Sequence, residues 1–326
     1  MQVLMNFREA FWLSGGANSF LSSLRRYLRQ KGIRFVYQPK QGFDIALLNA
    51  LTDGLTLDRI KAIHAYGKPV IHRKVGYIVS GSAQMRALQN GVVCGDRLQI
   101  EMSQYIHHTI FQSRYSQDTF TGEGFVGKSS LIANGVDTSI FHPFVSRGLW
   151  GSGAPTLRPF WDGHTTFRLA IVTWSKDPAK GFDEYLRFDA ALEGMRNVEI
   201  WFIGRQPPDV RFRNIRYFGA RGHRRLAKLL RNCHGCIQMA RSETCSNAML
   251  EAINCGLPVI YLNSGSAKEL ASNYGVEYCG DPATAIATLQ MQYSELSQRT
   301  LDNPYSIERA AKEYLKLIHE VLGLHG

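Results

Sequence analysis

Three stretches in the second half of the chain set charged and hydroxyl side chains beside small residues, a pattern suited to holding a phosphorylated ligand. The first, Trp174-Ser175-Lys176-Asp177-Pro178-Ala179-Lys180-Gly181, carries two lysines behind an apolar run. A lysine fixed there is a cation for a diphosphate; left free it is only a solvated surface charge. The second, Ser242-Glu243-Thr244-Cys245-Ser246-Asn247, leads into Ala248-Met249-Leu250-Glu251-Ala252. A serine at a helix start caps it, and the free amides behind it form an anion cradle. Glu251, a turn or two further on, can accept bonds from two adjacent sugar hydroxyls, or serve simply as a glutamate favoured by the helix dipole. The third, Asn263-Ser264-Gly265-Ser266-Ala267-Lys268-Glu269-Leu270, is small enough for backbone to approach a ligand closely, or to form an ordinary turn.

What must position these stretches is a parallel sheet, because ligands of open α/β sheets bind beyond the carboxyl ends of the strands, in strand-to-helix turns. Strands are predicted at Arg168–Trp174, Val198–Gly204, Ile215–Gly219, Cys236–Met239 and Val259–Leu262, with helical stretches such as Arg224–Arg231 and Ala248–Asn254 between them. The first half has the same rhythm: a strand at residues 3–7, a Gly15-Gly16 turn, and a helix with Phe20, Leu21, Leu24, Tyr27 and Leu28 on one face, closed by Gly32. Strands follow at Arg34–Tyr37, Asp44–Asn49, Pro69–His72, Thr109–Gln112 and Ser130–Ala133. Short, unalternated apolar runs separated by helices are what a sheet covered on both faces requires. The expected fold class is α/β, two Rossmann-like doubly wound parallel-sheet domains facing across a cleft. The expected domains are a first lobe at 1–145, a Gly-, Pro- and aromatic-rich linker at 146–166, a second lobe at 167–304, and an amphipathic helix at 305–326 that packs on one or both lobes.

Composition fits this reading. A chain of 326 residues exceeds what one core usually organises, and 44% apolar with 20% charged residues excludes a disordered chain. Lys and Arg outnumber Asp and Glu by 38 to 27, so the surface favours anionic partners. There is no apolar run of roughly 18 residues to span a bilayer, and charge enters the start too early for a secretory segment, so a cytoplasmic protein is expected. Six scattered cysteines suit a reducing compartment. Cys233-His-Gly-Cys236 has no second pair for zinc and runs into an apolar segment, which reads as buried packing. No Asp-x-Asp sits in a suitable turn; no metal is expected, the lysines neutralising charge in its place.

Glu243 and Glu251 stand eight apart in SETCSNAMLEAINCGLPVI. This segment resembles the E-x7-E helix of the group 1, or family 4, retaining glycosyltransferases of GT-B fold. The Gly15-Gly16 turn, the segment LIANGVDTSIFHP, the Lys180-Gly181 pair, and Gly265 with Glu269 follow in that family's order, so the resemblance covers nearly the whole chain. It implies a transferase that moves a sugar from a nucleotide-diphosphate sugar to an acceptor hydroxyl with retention, as in polysaccharide biosynthesis. No cofactor is implied beyond that co-substrate.

The resemblance also implies roles. Lys180 holds the donor diphosphate, usually with an arginine five positions earlier; in this chain that place is Ser175, with Lys176 next to it. Glu243 touches the transferred sugar and Glu251 the ribose, while Ser246, Asn247 and Gly265 line the donor site and the Gly15-Gly16 loop closes onto the phosphates. A first-lobe histidine near the reacting centre maps loosely to His72, with Arg73 and His64 as alternatives. Arg73, Tyr77 and Tyr105 are the candidate acceptor contacts. The partners expected are the donor, a saccharide or lipid-linked acceptor, and an anionic membrane at its inner face. Two rivals remain: a sugar-nucleotide epimerase on the same fold, and a nucleic-acid protein suggested by Arg211-Phe-Arg-Asn-Ile-Arg216 with Arg221, His223, Arg224 and Arg225, although no reader motif is present.

Overall fold

The structure is a computed structural model that describes residues 1–6, 16–49, 55–74, 99–146, 155–158 and 160–324. The chain divides into two compact units, Met1–Gly135 with Ile307–Gly326, and Val136–Ser306.

In the first unit β1 (Gln2–Met5), β2 (Arg34–Val36), β3 (Ile45–Asn49), β4 (Val70–Arg73), β5 (His108–Phe111) and β6 (Ser129–Leu131) form a six-stranded sheet in the order β2-β1-β3-β4-β5-β6. Every pairing is parallel. β3 and β4 are buried at every residue, which is why their apolar runs do not alternate. α1 (Gly16–Gln30) buries Phe20, Leu21, Leu24 and Leu28 on the sheet, and Gly32, at φ 83°, ends it. α2 (Leu57–His64) precedes β4, and α3 (Arg114–Gly122) follows β5. The last helix, which I-x2-AA-x2-Y spacing makes amphipathic, begins at Ile307 (Ile307–Val321) and packs on this first unit: Tyr314 meets Phe20 with ring centroids 5.9 Å apart.

In the second unit β9 (Phe167–Thr173), β10 (Val198–Gly204), β11 (Arg216–Tyr217), β12 (Gly235–Gln238), β13 (Val259–Leu262) and β14 (Gly275–Tyr278) form a second all-parallel sheet in the order β11-β10-β9-β12-β13-β14. Sequence patterning anticipated five of these strands. It missed β14 because this short edge strand carries Gly275 and the exposed Glu277, which dilute the apolar signal. α4 (Phe182–Ala191), α8 (Pro282–Met291) and α9 (Tyr293–Thr300) cover one face, burying Phe182, Tyr185, Ile286 and Leu296. α5 (His223–Leu230), α6 (Asn247–Asn254) and α7 (Ala267–Ala271) cover the other with Leu226, Leu250 and Leu270. Cys233 and Cys236 are free thiols inside this second core, as their apolar setting suggested.

The described residues of the stretch read as a linker pack on the second unit. β7 (Phe144–Ser146) pairs antiparallel with β8 (Pro155–Leu157), and Trp161 packs edge-on against Phe167 at 4.7 Å. Arg158 is 2% exposed. Its guanidinium donates to the carbonyls of Cys233 (2.8 Å) and Gly256 (2.5 Å) and to the Tyr293 hydroxyl (3.2 Å). A buried cation held by carbonyls in place of carboxylates leaves two unsatisfied acceptors when it is removed. We therefore expect Arg158→Leu to destabilise the protein by about 2–4 kcal/mol in urea unfolding; an unchanged midpoint would show that the segment is only loosely attached.

Candidate active site

The second sheet reverses its strand order at β9: β10 and β11 build outward on one side, β12 to β14 on the other. The helices after β9 and β12 therefore pack on opposite faces, and the turns leading to them part above the carboxyl ends of those two strands. Lys180 and Glu243 stand in these two turns. The Lys180 turn is a short 3-10 segment, Pro178–Lys180, capped by the Asp177 carboxylate on the Ala179 amide at 2.9 Å. It ends at Gly181, with φ 80°, where a Cβ would collide with the Met239 carbonyl, so glycine alone lets this turn lie on the end of β12.

Backbone hydrogen bonds then join all three turns. The Arg241 amide donates to Ala179 O at 2.7 Å, and the Ser266 amide donates to Glu243 O at 2.9 Å. The Ser242 amide donates to Ser264 Oγ at 3.0 Å. Gly265, with φ 61°, leaves room for this: a Cβ there would stand 2.5 Å from Glu243 O. The result is a salt bridge between Lys180 Nζ and the Glu243 carboxylate, with the two side chains 27% and 24% exposed.

A scaffold that sequence reasoning missed, with its Arg241–Asp183 part at the surface and the rest buried, supports the pair. Arg241 grips Asp183 at the start of α4 with two hydrogen bonds of 2.8 and 2.6 Å, holding the Asp183 carboxyl below its ordinary range. Behind it, Tyr185 Oη accepts from the Met239 amide at 3.3 Å, and Gln238 Nε2 donates to Ser246 Oγ at 2.5 Å. Ser246 caps α6 by accepting from the Met249 amide. Gln238 did leave one signal, a polar residue in an otherwise apolar strand, but polarity alone does not reveal its partner. Glu251 on α6 is 8% exposed, and burial pushes its carboxyl up to about 8.

Residues 169–290 match the family described as Glycosyl transferases group 1. The matched residues all lie in the second unit. No curated protein sequence matches the chain. Among solved structures, sucrose-phosphate synthase from Thermosynechococcus elongatus superposes with TM-score 0.75 at 13% identity, covering 99% of each chain. Anabaena HepE in complex with UDP gives 0.71 at 14% identity, over 98% of this chain and 99% of that one. A glycosyltransferase from Rickettsia africae gives 0.69 at 13%, over 98% of both. At such identities the likeness establishes the fold, which is GT-B.

Within this second unit, Ser175, Lys176, Lys180, Glu243, Ser246, Asn247 and Gly265 all lie in the turns or helix starts at the carboxyl edge of the sheet. Ser175 Oγ accepts from the Asp177 amide at 3.1 Å, so its hydroxyl oxygen is already part of the turn, while Lys176 is exposed. Gly16 opens α1 in the first unit; Gly15 and Tyr77 lie outside the described residues.

His72 and Arg73 end β4. Both are interior: His72 is fully buried with neither ring nitrogen hydrogen-bonded, and burial, then Lys74 and Arg73, hold it well below its ordinary range. Arg73 donates to Asn49 Oδ1 at 2.6 Å and Asn134 Oδ1 at 2.8 Å, which makes it a brace between strand ends in place of the surface contact expected for an acceptor. Tyr105 is a correction. It sits just ahead of β5, with its ring 5.6 Å from that of His64 at the end of α2, so both residues lie at the amino end of the strands, away from the edge where ligands bind.

Glu251 supplies a pH test. Its folded value near 8 lies above an unfolded value of about 4.3, so the folded state holds the extra proton, and the stabilisation is complete below pH about 4 and lost as pH rises towards 8. Between pH 6 and 8.5 the wild type should lose about 1–3 kcal/mol more stability than Glu251→Gln, measured by urea unfolding. Parallel pH curves for the two proteins would place the charged carboxylate in the native state.

Proposed function

We propose that the protein transfers a sugar from a nucleotide-diphosphate sugar to an acceptor hydroxyl with retention of anomeric configuration. The observation that carries this is the Lys180–Glu243 pair, set at the reversal point of a group 1 glycosyltransferase sheet and free of any other ion-pair partner among the described residues. On donor binding Lys180 exchanges Glu243 for the diphosphate, with exposed Lys176 beside it and the α6 amides behind Ser246 as further positive ends. The freed Glu243 carboxylate accepts hydrogen bonds from the hydroxyls of the transferred sugar. Glu251, protonated near neutrality, presents one hydroxyl donor and one acceptor oxygen to the ribose.

Bond cleavage then places the developing negative charge of the leaving diphosphate against groups already in position, the electrostatic term that usually dominates such a rate. The departing phosphate takes the acceptor proton, on the same face from which it leaves, so Glu243 positions the sugar and does not attack it. Structures in complex with UDP, UDP-glucose, or UDP and GlcNAc exist for proteins of this fold, which supports a nucleotide-sugar donor for this chain. The acceptor in this reading is a saccharide or lipid-linked saccharide, met by a cytoplasmic enzyme at the inner face of a membrane, and the lysines take the place of a divalent ion. His72 contributes a neutral ring, and reaching substrate requires that ring to be uncovered.

A panel of nucleotide sugars scored by thermal shift should give one donor that stabilises the native state by about 2–4 kcal/mol at saturation. Lys180→Ala should abolish that shift. Glu243→Gln should keep nucleotide-diphosphate binding while slowing transfer by about 100-fold or more. Donor turnover undiminished in either variant refutes the assignment, and an epimerised donor formed without acceptor would favour the rival reaction. Turnover should persist in a chelator; its loss would mean that a metal, and not the lysines, neutralises the diphosphate.

A further inference from the structure

Gln238 is the last residue of β12 and only 5% exposed. An amide buried at the end of an apolar strand is costly, so each of its hydrogen bonds has to be accounted for. It stands where α4 and α6 part to opposite faces, and its side chain reaches both. Its Oε1 lies 3.4 Å from Tyr185 Oη on α4, and its Nε2 lies 2.5 Å from Ser246 Oγ at the start of α6.

The amide can stand only one way round. Tyr185 is fully buried, and burial pushes its hydroxyl above the ordinary range, so the hydroxyl keeps its proton. Its oxygen already accepts from the Met239 amide at 3.3 Å, and its proton has one acceptor among the described residues, Gln238 Oε1. Turning the amide over would set its NH2 group against that hydroxyl and strand the phenol proton in the core. Gln238 therefore offers its oxygen to Tyr185 and its NH2 group to Ser246.

Ser246 is fixed in turn. A serine hydroxyl has two acceptor positions and one proton. One position takes the Met249 amide at 3.4 Å, which caps α6; the other takes Gln238. Ser246 is 6% exposed, and its proton finds no acceptor among the described residues. Capping alone does not call for this arrangement, because Gln238 makes the shorter contact to the very oxygen that the helix amide uses. An apolar side chain would leave that oxygen wholly to the helix. What the glutamine adds is polarity: an ordinary capping serine can turn either its proton or a lone pair to a ligand, whereas this one can only donate.

We infer that Gln238 is a positioning residue that holds the Ser246 hydroxyl as an obligate hydrogen-bond donor to the diphosphate proposed at the start of α6. The inference rests on the nucleotide-diphosphate reading above and adds to it a residue that touches no ligand itself. Ionised phosphate oxygens only accept, so a helix start made of free amides and one locked hydroxyl proton matches them.

The test uses the full chain and ligand-observed NMR titrations with UDP, GDP and ADP, the tightest of which is compared with its parent nucleoside. Gln238→Met fills the same space without the amide; it should weaken the diphosphate about tenfold and leave the nucleoside within about twofold. Ser246→Ala should weaken the diphosphate to a similar degree. Adding Gln238→Met to Ser246→Ala should cost no more than about a further twofold, because the hydroxyl through which Gln238 acts is gone. In Ser246→Thr, which keeps a hydroxyl, Gln238→Met should again cost about tenfold. Tyr185→Phe frees the amide to turn over and should weaken the diphosphate about twofold or more, although Tyr185 lies inside the core. That variant carries the test should Gln238→Met fail to fold. A wild type that binds none of the three diphosphates would overturn the donor reading and this inference with it. Wild-type binding with unchanged affinity in folded Gln238→Met or in Tyr185→Phe, equal losses for diphosphate and nucleoside, or independent losses in the double variant would overturn the inference alone.

Discussion

The organising constraint of this protein is the close approach of three loop segments above the reversal point of the second sheet. Two glycines in left-handed conformations, Gly181 and Gly265, let the backbone after β9 and after β13 touch the turn after β12 with no side chain between. Once those segments are in contact, the backbone amides of Arg241 and Ser266 fix their spacing, and Lys180 and Glu243 are brought together from positions 63 residues apart. The Arg241–Asp183 fork and the Tyr185–Gln238–Ser246 arrangement extend the same constraint down to α4 and the strand itself. A pair built this way is preorganised: its geometry derives from the packed sheet, so little ordering remains to be done when a ligand arrives.

The two units treat charge at their strand ends differently. In the second unit the carboxyl edge keeps its cations accessible and engages them with carboxylates that a ligand can replace. In the first, the described strand ends carry an internal lattice in which Asn6 and Asn49 exchange hydrogen bonds of 3.1 and 2.8 Å across the β1–β3 reversal, and Arg73 bridges Asn49 to Asn134. Burial drives Lys74 down to about 7 and His72 further below its ordinary range. Both ends are polar; the second presents the Lys180–Glu243 pair partly to solvent, in keeping with the proposed phosphorylated ligand there.

Much of this was legible in the sequence. The parallel sheets followed from unalternated apolar runs such as those of β3 and β9, and the turns carrying Lys180 and Glu243 followed from serine, glycine and charge placed just beyond such runs. What period and composition do not encode is reach. Arg158 is one residue in an aperiodic stretch until its three acceptors, drawn from residues 233, 256 and 293, are assembled around it. Tyr105 had the right polarity for a ligand contact, but polarity does not say which end of a strand a loop occupies; its place before β5 does. Glu251 was legible as a carboxylate in the right helix, while its protonation depends on neighbours that bury it.

The weakness of the Lys180–Glu243 bridge is itself informative. With both side chains about a quarter exposed, water screens the pair, and such a bridge contributes about 1 kcal/mol or less to stability. A pair kept only for rigidity gains little at that exposure, and an apolar contact would serve better. An exchangeable pair gains something different. In the proposed reading it keeps the lysine oriented towards the position of the diphosphate, whose two phosphates offer the lysine a stronger field than one carboxylate can. In that reading the same exchange releases the glutamate when a sugar hydroxyl needs an acceptor, so one displacement would prepare both ends of the proposed ligand.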